Sequence, residues 1–435
     1  MKKTFLIFAL LAIICGPALA TQPAFAIKDN DTWVMAGDSI TAQRLHTNYL
    51  EAFFRTRYPQ FHLHFRNSGI GGNRTGNILD RFDYDVAAWQ PTIVSIELGM
   101  NDVGGANPAS TNCAVGYIAG MKQLIEKIRT LNAQPLLISS SPVNDGSVMD
   151  AWNSIRCQTI HPFTEALKAL GQKENVRVVD QYHPLLALWG PNKTIEDANA
   201  FAARIRLVKP ENNIPDLKTL QTFAAAWGNK TGVVTLGGDS VHPGSVGQYT
   251  MAATILAALE VDREVSSATI NPAGTVLDAK NCKITDIVAK DGKLAFTRLD
   301  ERSPWPISTN ALSAVTLLPE IVDLSRYTLT VPGLAAGQFS VTLDGILVAT
   351  LSHKELAKGW NISTCQDGPL AARADKINSL IADLQGGINN NWRLASKEKN
   401  QEKLAAAQKA IDETEAKLQV AVQSVPIHFE IAPAK

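Results

Sequence analysis

From Thr32 to about Leu259, strand-like runs alternate with helix-like ones. The strand-like runs are Thr32–Ala36, Phe61–Phe65, Thr92–Leu98, Pro135–Ile138 and Val176–Val179. Several are continuously apolar, which predicts strands covered on both faces. Between them, Tyr117–Leu131 and Trp152–Leu170 carry helical periodicity. This alternation predicts an α/β sandwich around a mostly parallel sheet. Residues 190–235 are interrupted by Pro191, Pro210 and Pro215 and read as irregular cover at the sheet's edge.

The pattern changes near Val261. Asp291-Gly292 separates two strand-like runs, and Asp344-Gly345 separates Gln338–Leu343 from Ile346–Leu351. Asp-Gly between alternating runs is a strong hairpin signal, so a small antiparallel β unit is expected over 265–355. Further on, Ile377, Leu380, Ile381 and Leu384 share one helical face. Gly386-Gly387 and three asparagines are expected to break the chain. Leu404, Ile411 and Leu418 then recur every seven residues, with Ala407 and Ala421 on the same face. That predicts a helical hairpin with a narrow apolar seam. The expected divisions are a leader over 1–26, a first domain over 27–262, a β domain over 263–358 and a helical region over 359–435.

Composition adds a compartment and excludes some partners. The chain has 435 residues, 45% apolar and 19% charged, with a formal net charge of zero. No basic excess points to nucleic acid. Lys2 and Lys3 precede a short apolar run, Thr4–Cys15, and Ala18-Leu19-Ala20 and Ala24-Phe25-Ala26 are small-x-small sites. These are the parts of a secretory signal cleaved after residue 20 or 26, too short for a membrane span. Export to the periplasm or beyond is expected, without stable membrane insertion. Cys113, Cys157, Cys282 and Cys365 remain, an even count that suggests disulfides outside the cytoplasm. Of three possible pairings, 113 with 157 and 282 with 365 keeps each bridge on one side of the first domain's end. No His/Cys cluster has metal-site spacing. Neither a metal nor an organic cofactor is expected, and the oligomeric state is open.

Four short motifs occur in chain order. Gly37-Asp38-Ser39-Ile40-Thr41 ends the first strand. A serine there is either a helix N-cap or a hydroxyl presented at the sheet's carboxyl edge, where such sheets bind ligands. Asn67-Ser68-Gly69-Ile70-Gly71-Gly72-Asn73-Arg74 follows the second strand, and its glycines let backbone N–H groups approach a ligand. Glu97-Leu98-Gly99-Met100-Asn101-Asp102 ends the third strand and brings an amide to the same edge. Asp239-Ser240-Val241-His242 sets a carboxylate three residues before an imidazole. Taken together they supply the parts of acyl transfer. Ser39 is a nucleophile once His242 takes its proton, Asp239 orients the imidazole, and Ser39 N–H, Gly72 N–H and the Asn101 amide can hold an oxyanion.

These blocks resemble the SGNH (GDSL-type) hydrolase superfamily of esterases and lipases. The family's serine, glycine, asparagine and Asp-x-x-His fall on Ser39, Gly72, Asn101 and Asp239/His242. The resemblance spans roughly residues 30 to 260 and implies a flavodoxin-like three-layer α/β/α fold. It also implies a Ser-His-Asp ester hydrolase needing no cofactor. In the simplest members the Asp-His block lies near the chain's end, whereas roughly 190 residues follow it here.

The remaining candidates are weaker. Asn73 and Arg74 are expected to line the substrate pocket, and Asp38 to hold the turn by backbone hydrogen bonding. Trp152 reads as core before a sugar platform, and His46 as a surface residue. His62 and His64 alternate on one strand face without an evident third ligand. The expected substrate is a carboxylic ester with a short acyl group, such as acetyl on a polysaccharide. The alternatives are a lipase, lysophospholipase or thioesterase, and a non-catalytic cell-envelope binding protein with an idle triad.

Overall fold

A computed structural model describes residues 23–104, 114–143, 155–189, 239, 241–312, 314–317 and 320–434. The expected leader, Cys113, Trp152 and the 190–235 segment lie wholly or mostly outside the described residues.

Five strands form the first sheet: β1 (Thr32–Gly37), β2 (His64–Gly69), β3 (Ile93–Glu97), β4 (Gln134–Ile138) and β5 (Arg177–Val179). All pairings are parallel, in the order β2-β1-β3-β4-β5. That is the flavodoxin-like order, and the strand order reverses beside β1. The period-two geometry of β1 sends Trp33 and Met35 into one buried layer and Val34 and Ala36 into the other. The first layer is closed by α2 (Leu45–Arg57) and α7 (Ser245–Ala258), the second by α3 (Thr75–Asp85), α4 (Val115–Thr130) and α5 (Ile155–Glu174). Phe53 and Phe54 of α2 are fully buried. Truncating either to alanine costs about 3–5 kcal/mol. Among the described residues, the other α-helices of this part are the short α1 (Ser39–Ala42) and α6 (Tyr182–Trp189).

The second strand begins later than its apolar pattern predicts. Asn67, Ser68 and Gly69 belong to β2 rather than to a loop. Their polar side chains are tolerated inside because they are bonded. Asn67 Nδ2 donates to the Thr41 carbonyl (2.7 Å) and Thr47 Oγ1 (2.9 Å), and Ser68 Oγ donates to Asp85 (2.9 Å).

Beyond Val261 lie two sheets. One is β13-β10-β6-β7, built from Trp360–Asn361, Arg326–Thr330, Glu264–Ile270 and Val276–Lys280. The other is β12-β11-β14-β9-β8, built from Ile346–Ser352, Gln338–Leu343, Ile427–Pro433, Lys293–Asp300 and Cys282–Lys290. Both Asp-Gly turns are hairpins, with positive φ at Asp291, Gly292, Asp344 and Gly345, as a type I′ turn requires. The pairing is antiparallel except for β6 with β10. Strand β14 comes from the chain's end, where a helical region was expected. Its buried residues Ile427, Phe429 and Ile431 alternate at period two.

The C-terminal helices are α8 (Gly368–Gly387) and α9 (Gln401–Ala421). The Gly-Gly-Asn stretch does not break α8. It passes into a π turn, Ile388–Trp392, and a further helical turn, Arg393–Lys397. Asn389 Nδ2 donates to the Gln385 carbonyl (2.8 Å), and Trp392 stacks on Trp89, so packing holds the widened turn. The seam residues Ile377, Ile381, Leu384, Ile411 and Leu418 join the same buried layer as Trp33 and Phe53. Among the described residues, no helix is long and apolar enough to cross a membrane.

The disulfide expectation does not hold for 282 with 365. The Cys282 thiol donates to the Ser267 carbonyl (3.3 Å) within the β unit. The Cys157 sulfur likewise donates to the Val143 carbonyl (2.8 Å), while Cys113 lies outside the described residues. No disulfide is present among the described residues.

Candidate active site

Strand β1 ends at Gly37, where an added Cβ would lie 2.8 Å from the Glu97 carbonyl oxygen and closer still to Thr41. Only glycine fits this approach, which brings the ends of β1 and β3 together. Asp38 then caps α1, its Oδ1 accepting from Ile40 N (2.9 Å), the turn-holding role expected of it. Ser39 is the first residue of that helix, at the carboxyl end of the sheet and beside its switch point.

His242 meets it from a loop two residues before the N-cap of α7. His242 Nε2 lies 2.7 Å from Ser39 Oγ. On the other side, His242 Nδ1 lies 2.8 and 3.0 Å from the two Asp239 oxygens. A carboxylate can only accept, so Nδ1 carries the proton and Nε2 presents its lone pair to the serine hydroxyl. Asp239 Oδ1 also accepts from Val241 N (2.8 Å) and His242 N (2.7 Å). Partial burial pushes the Asp239 carboxyl upward, but those N–H groups and the imidazole outweigh it and hold it below its usual range.

The opposite side is a polar ledge. Gly72 has φ +75°, with nothing within 4 Å of where a Cβ would stand. Backbone N–H groups of Ser39 and Gly72 donate to no acceptor among the described residues. Asn101 Nδ2 sits between Asp38 Oδ2 (3.3 Å) and the Asn73 carbonyl (3.2 Å). Asn73 turns its own amide oxygen inward to accept from Arg81 Nε (2.9 Å), whereas Arg74 is exposed. Asp102 bonds the first residue of α3, accepting from Thr75 N (3.1 Å) and Thr75 Oγ1 (3.0 Å).

Beneath Ser39 lies a buried network that the motifs do not announce. Glu97 accepts from Thr41 Oγ1 (2.8 Å) and Gln181 Nε2 (2.9 Å). His46 is 2% exposed, not a surface residue. Its Nδ1 and backbone N both bond Gln248 Oε1, at 2.9 and 3.0 Å. Gln248 Nε2 in turn donates to the Pro243 carbonyl (3.3 Å), which ties α2 to the loop that carries His242. Desolvation drives the His46 pKa down to about 4. Desolvation, and for Asp38 also the neighbouring Glu97, pushes both carboxyls up to about 7. The sequence signals for this layer were Asp38, Thr41 and Glu97 within their motifs and the proximity of His46 to Ser39, whereas Gln181 and Gln248 stand in no motif.

Residues 35–249 match the sequence model of the GDSL-like lipase/acylhydrolase family. Over these residues the chain is a member of this family. As a member of the SGNH-type hydrolases it is an ester hydrolase. Among solved structures, a gut microbial diltiazem-metabolizing enzyme aligns with 95% of this hydrolase and 100% of its own chain, at 18% identity and a TM-score of 0.74. The β and helical units therefore recur in that fold along with the first sheet. An acetylxylan esterase from Geobacillus stearothermophilus aligns with 54% of this hydrolase and 96% of its own chain, at 18% identity and a TM-score of 0.38. No curated protein matches.

Among the described residues, one other cluster brings metal-binding side chains together. His161 and Glu165 of α5 and His183 of α6 place ligand atoms within 4.8 Å of one another. Lys168 Nζ already lies 2.9 Å from Glu165, and Asp180 takes His183 Nδ1 at 2.7 Å. The ammonium supplies the charge an ion would bring, so we assign none. His64 bonds Glu415 (2.8 Å) and His62 bonds Asp29 (3.3 Å), so the alternating pair shares no ligand site.

Proposed function

We propose that this hydrolase is an exported serine esterase that works through an acyl-enzyme, with Ser39 as nucleophile, His242 as base and Asp239 as its orienting partner. The observation that carries the reading is the continuous Asp239–His242–Ser39 relay, with contacts of 2.8 and 2.7 Å. Ser39 Oγ attacks the ester carbonyl as its proton passes to His242 Nε2. The oxyanion is met by Ser39 N–H, Gly72 N–H and the Asn101 amide. The alcohol leaves with the proton from His242, and water repeats the sequence to free the acid.

The described rim supports a short acyl group on a polar alcohol, such as acetyl on a carbohydrate. Gly71, Gly72 and Arg74 are exposed there, and Asn73 and Asn101 half-buried. A long acyl chain needs an apolar wall, and these residues supply none. The amino-terminal pattern of two lysines, an apolar run and small-x-small sites supports export.

A p-nitrophenyl ester series, together with acetylated polysaccharides and phospholipids as substrates, tests the proposal. We expect acetyl esters to be hydrolysed fastest and a fluorophosphonate to label the wild type but not Ser39→Ala. Preference for long chains would overturn the acyl assignment, and full activity of Ser39→Ala would overturn the nucleophile.

A further inference from the structure

Strand β2 is the edge of the parallel sheet and leads directly into the glycine ledge. An edge strand exposes a row of unpaired backbone groups. Here side chains of the C-terminal helical unit pair with that row. Gln385 Oε1 accepts from Asn67 N and its Nε2 donates to the Phe65 carbonyl, both at 3.0 Å. Arg393 donates to the Asn67 carbonyl (2.8 Å) and the Gly69 carbonyl (3.2 Å). The four groups follow one another along the open edge, so two side chains take the place of a neighbouring strand.

Arg393 also reaches further. Its Nε donates to Asp85 Oδ1 (2.8 Å), and Asp85 Oδ2 accepts from Ser68 Oγ and from Arg81. Arg81 donates to the Ser68 carbonyl (2.6 Å) and to Asn73 Oδ1 (2.9 Å). The Asn73 carbonyl accepts from Asn101 Nδ2 (3.2 Å). An unbroken chain of bonds thus runs from the C-terminal helices to the ledge. Asp85 is 1%, Gln385 2% and Arg81 4% exposed, so these bonds are shielded from water.

The π turn explains how one helix supplies both clamps. Regular α-helix advances about 100° per residue, so positions 385 and 393, eight apart, would diverge by about 80°. The π turn at Ile388–Trp392 takes up one extra residue. The spacing then acts as seven residues, and both side chains return to within about 20° of one face.

We propose that the C-terminal helical unit is a positioning element of the active site, with Gln385 and Arg393 fixing the end of β2 and the Gly72–Asn101 ledge for oxyanion binding. This rests on Gly72 and Asn101 being the oxyanion donors. Arg393 and Gln385 are positioning residues and touch no substrate.

The test uses the full chain with Arg393→Ala, Arg393→Lys and Gln385→Ala, assayed on p-nitrophenyl acetate well below each variant's Tm. Rates are taken per active site, titrated with a fluorophosphonate. Arg393→Ala is expected to lower kcat about tenfold or more while KM stays within about twofold, since small misplacement costs rate rather than binding. Arg393→Lys recovers part of the rate, because an ammonium can still reach one carbonyl. Gln385→Ala retains the Asp85 charge cluster, keeping the test informative where Arg393→Ala folds poorly, and is expected to lower kcat in the same way. In an Asn101→Ala background the Arg393→Ala penalty shrinks to about twofold, because the donor it positions is gone. A lowered Tm with unchanged kcat per titrated site in both alanine variants overturns the proposal, and so does full multiplication of the Arg393 and Asn101 effects. Retained activity in Ser39→Ala would instead strike the nucleophile assignment, which the Arg393 series does not address.

Discussion

The loop carrying His242 and the ledge carrying Gly72 and Asn101 meet at Ser39, but different interactions hold them there. Asp239 and His242 are three residues apart and bind each other and their own backbone. The Asp239 side chain is 66% exposed. The ledge is held instead by Arg81 and Asp85 of α3 and by Arg393 of the C-terminal helical unit, which bond one another and the backbone carbonyls of β2, with Arg393 more than 300 residues along the chain from its partners. A carboxylate in water stays charged with little help and can orient an imidazole. Carboxyls sealed under the nucleophile, Asp38 and Glu97, are driven toward their neutral forms. The base side therefore depends on local sequence, and the ledge side on the whole fold.

The largest expected effect separates activity from stability on the loop side. His242→Ala should lower kcat by on the order of 10⁵–10⁶-fold. Its side chain is 27% exposed and, among the described residues, bonds only Asp239 of its own loop and Ser39, so urea unfolding should barely change. A large stability loss in this variant would erase the contrast. On the ledge side, Arg81→Ala should cost about 3–5 kcal/mol of stability, because it leaves Asp85 buried beside one fewer cation. Equilibrium urea unfolding measures it. Asn101→Ala comes next, with kcat on p-nitrophenyl acetate expected to fall about 10²–10³-fold. A tenfold or smaller loss would move the oxyanion donors to the backbone alone.

The same division decides what could be read from the sequence. Ser39, Gly72, Asn101, Asp239 and His242 stand in short motifs because each is fixed by its own strand end or loop. The parallel sheet was visible as well, since doubly covered strands are apolar throughout. The ledge's supports were not. Arg81, Asp85, Gln385 and Arg393 are polar residues on helices, which read as solvated faces until their partners are known. Helix α8 was expected to end at Gly386-Gly387 because glycine and asparagine are weak helix formers, yet packing of Ile388 and Trp392 carries it on. Strand β14 has clean alternation, but nothing nearby in sequence pairs with it, since its partners β9 and β11 lie far upstream.

The smallest effect concerns the buried carboxyl Glu97, and its sign can be worked out. In an unfolded chain this group loses its proton near its ordinary value of 4.5, whereas burial raises it to about 7 in the folded protein. Between those pH values the native state holds more protons than the unfolded state, so stability from this source falls as pH rises. His46 acts in the opposite sense. Held neutral down to about 4, against 6.5 when unfolded, it makes stability rise with pH from about 4 to 6.5. The wild-type profile therefore mixes opposing slopes, with Asp38 acting in the same sense as Glu97, and Glu97→Gln removes the Glu97 contribution. The amide still accepts one of the two bonds from Thr41 and Gln181, so the variant carries a constant offset. Its stability relative to wild type should nevertheless improve by about 1–3 kcal/mol between pH 4.5 and 7.5. Urea midpoints at the two pH values measure this change. Parallel profiles would mean that Glu97 ionises in place as easily as Asp239 does on its exposed loop, and the physical difference between the two sides would narrow to their arginines.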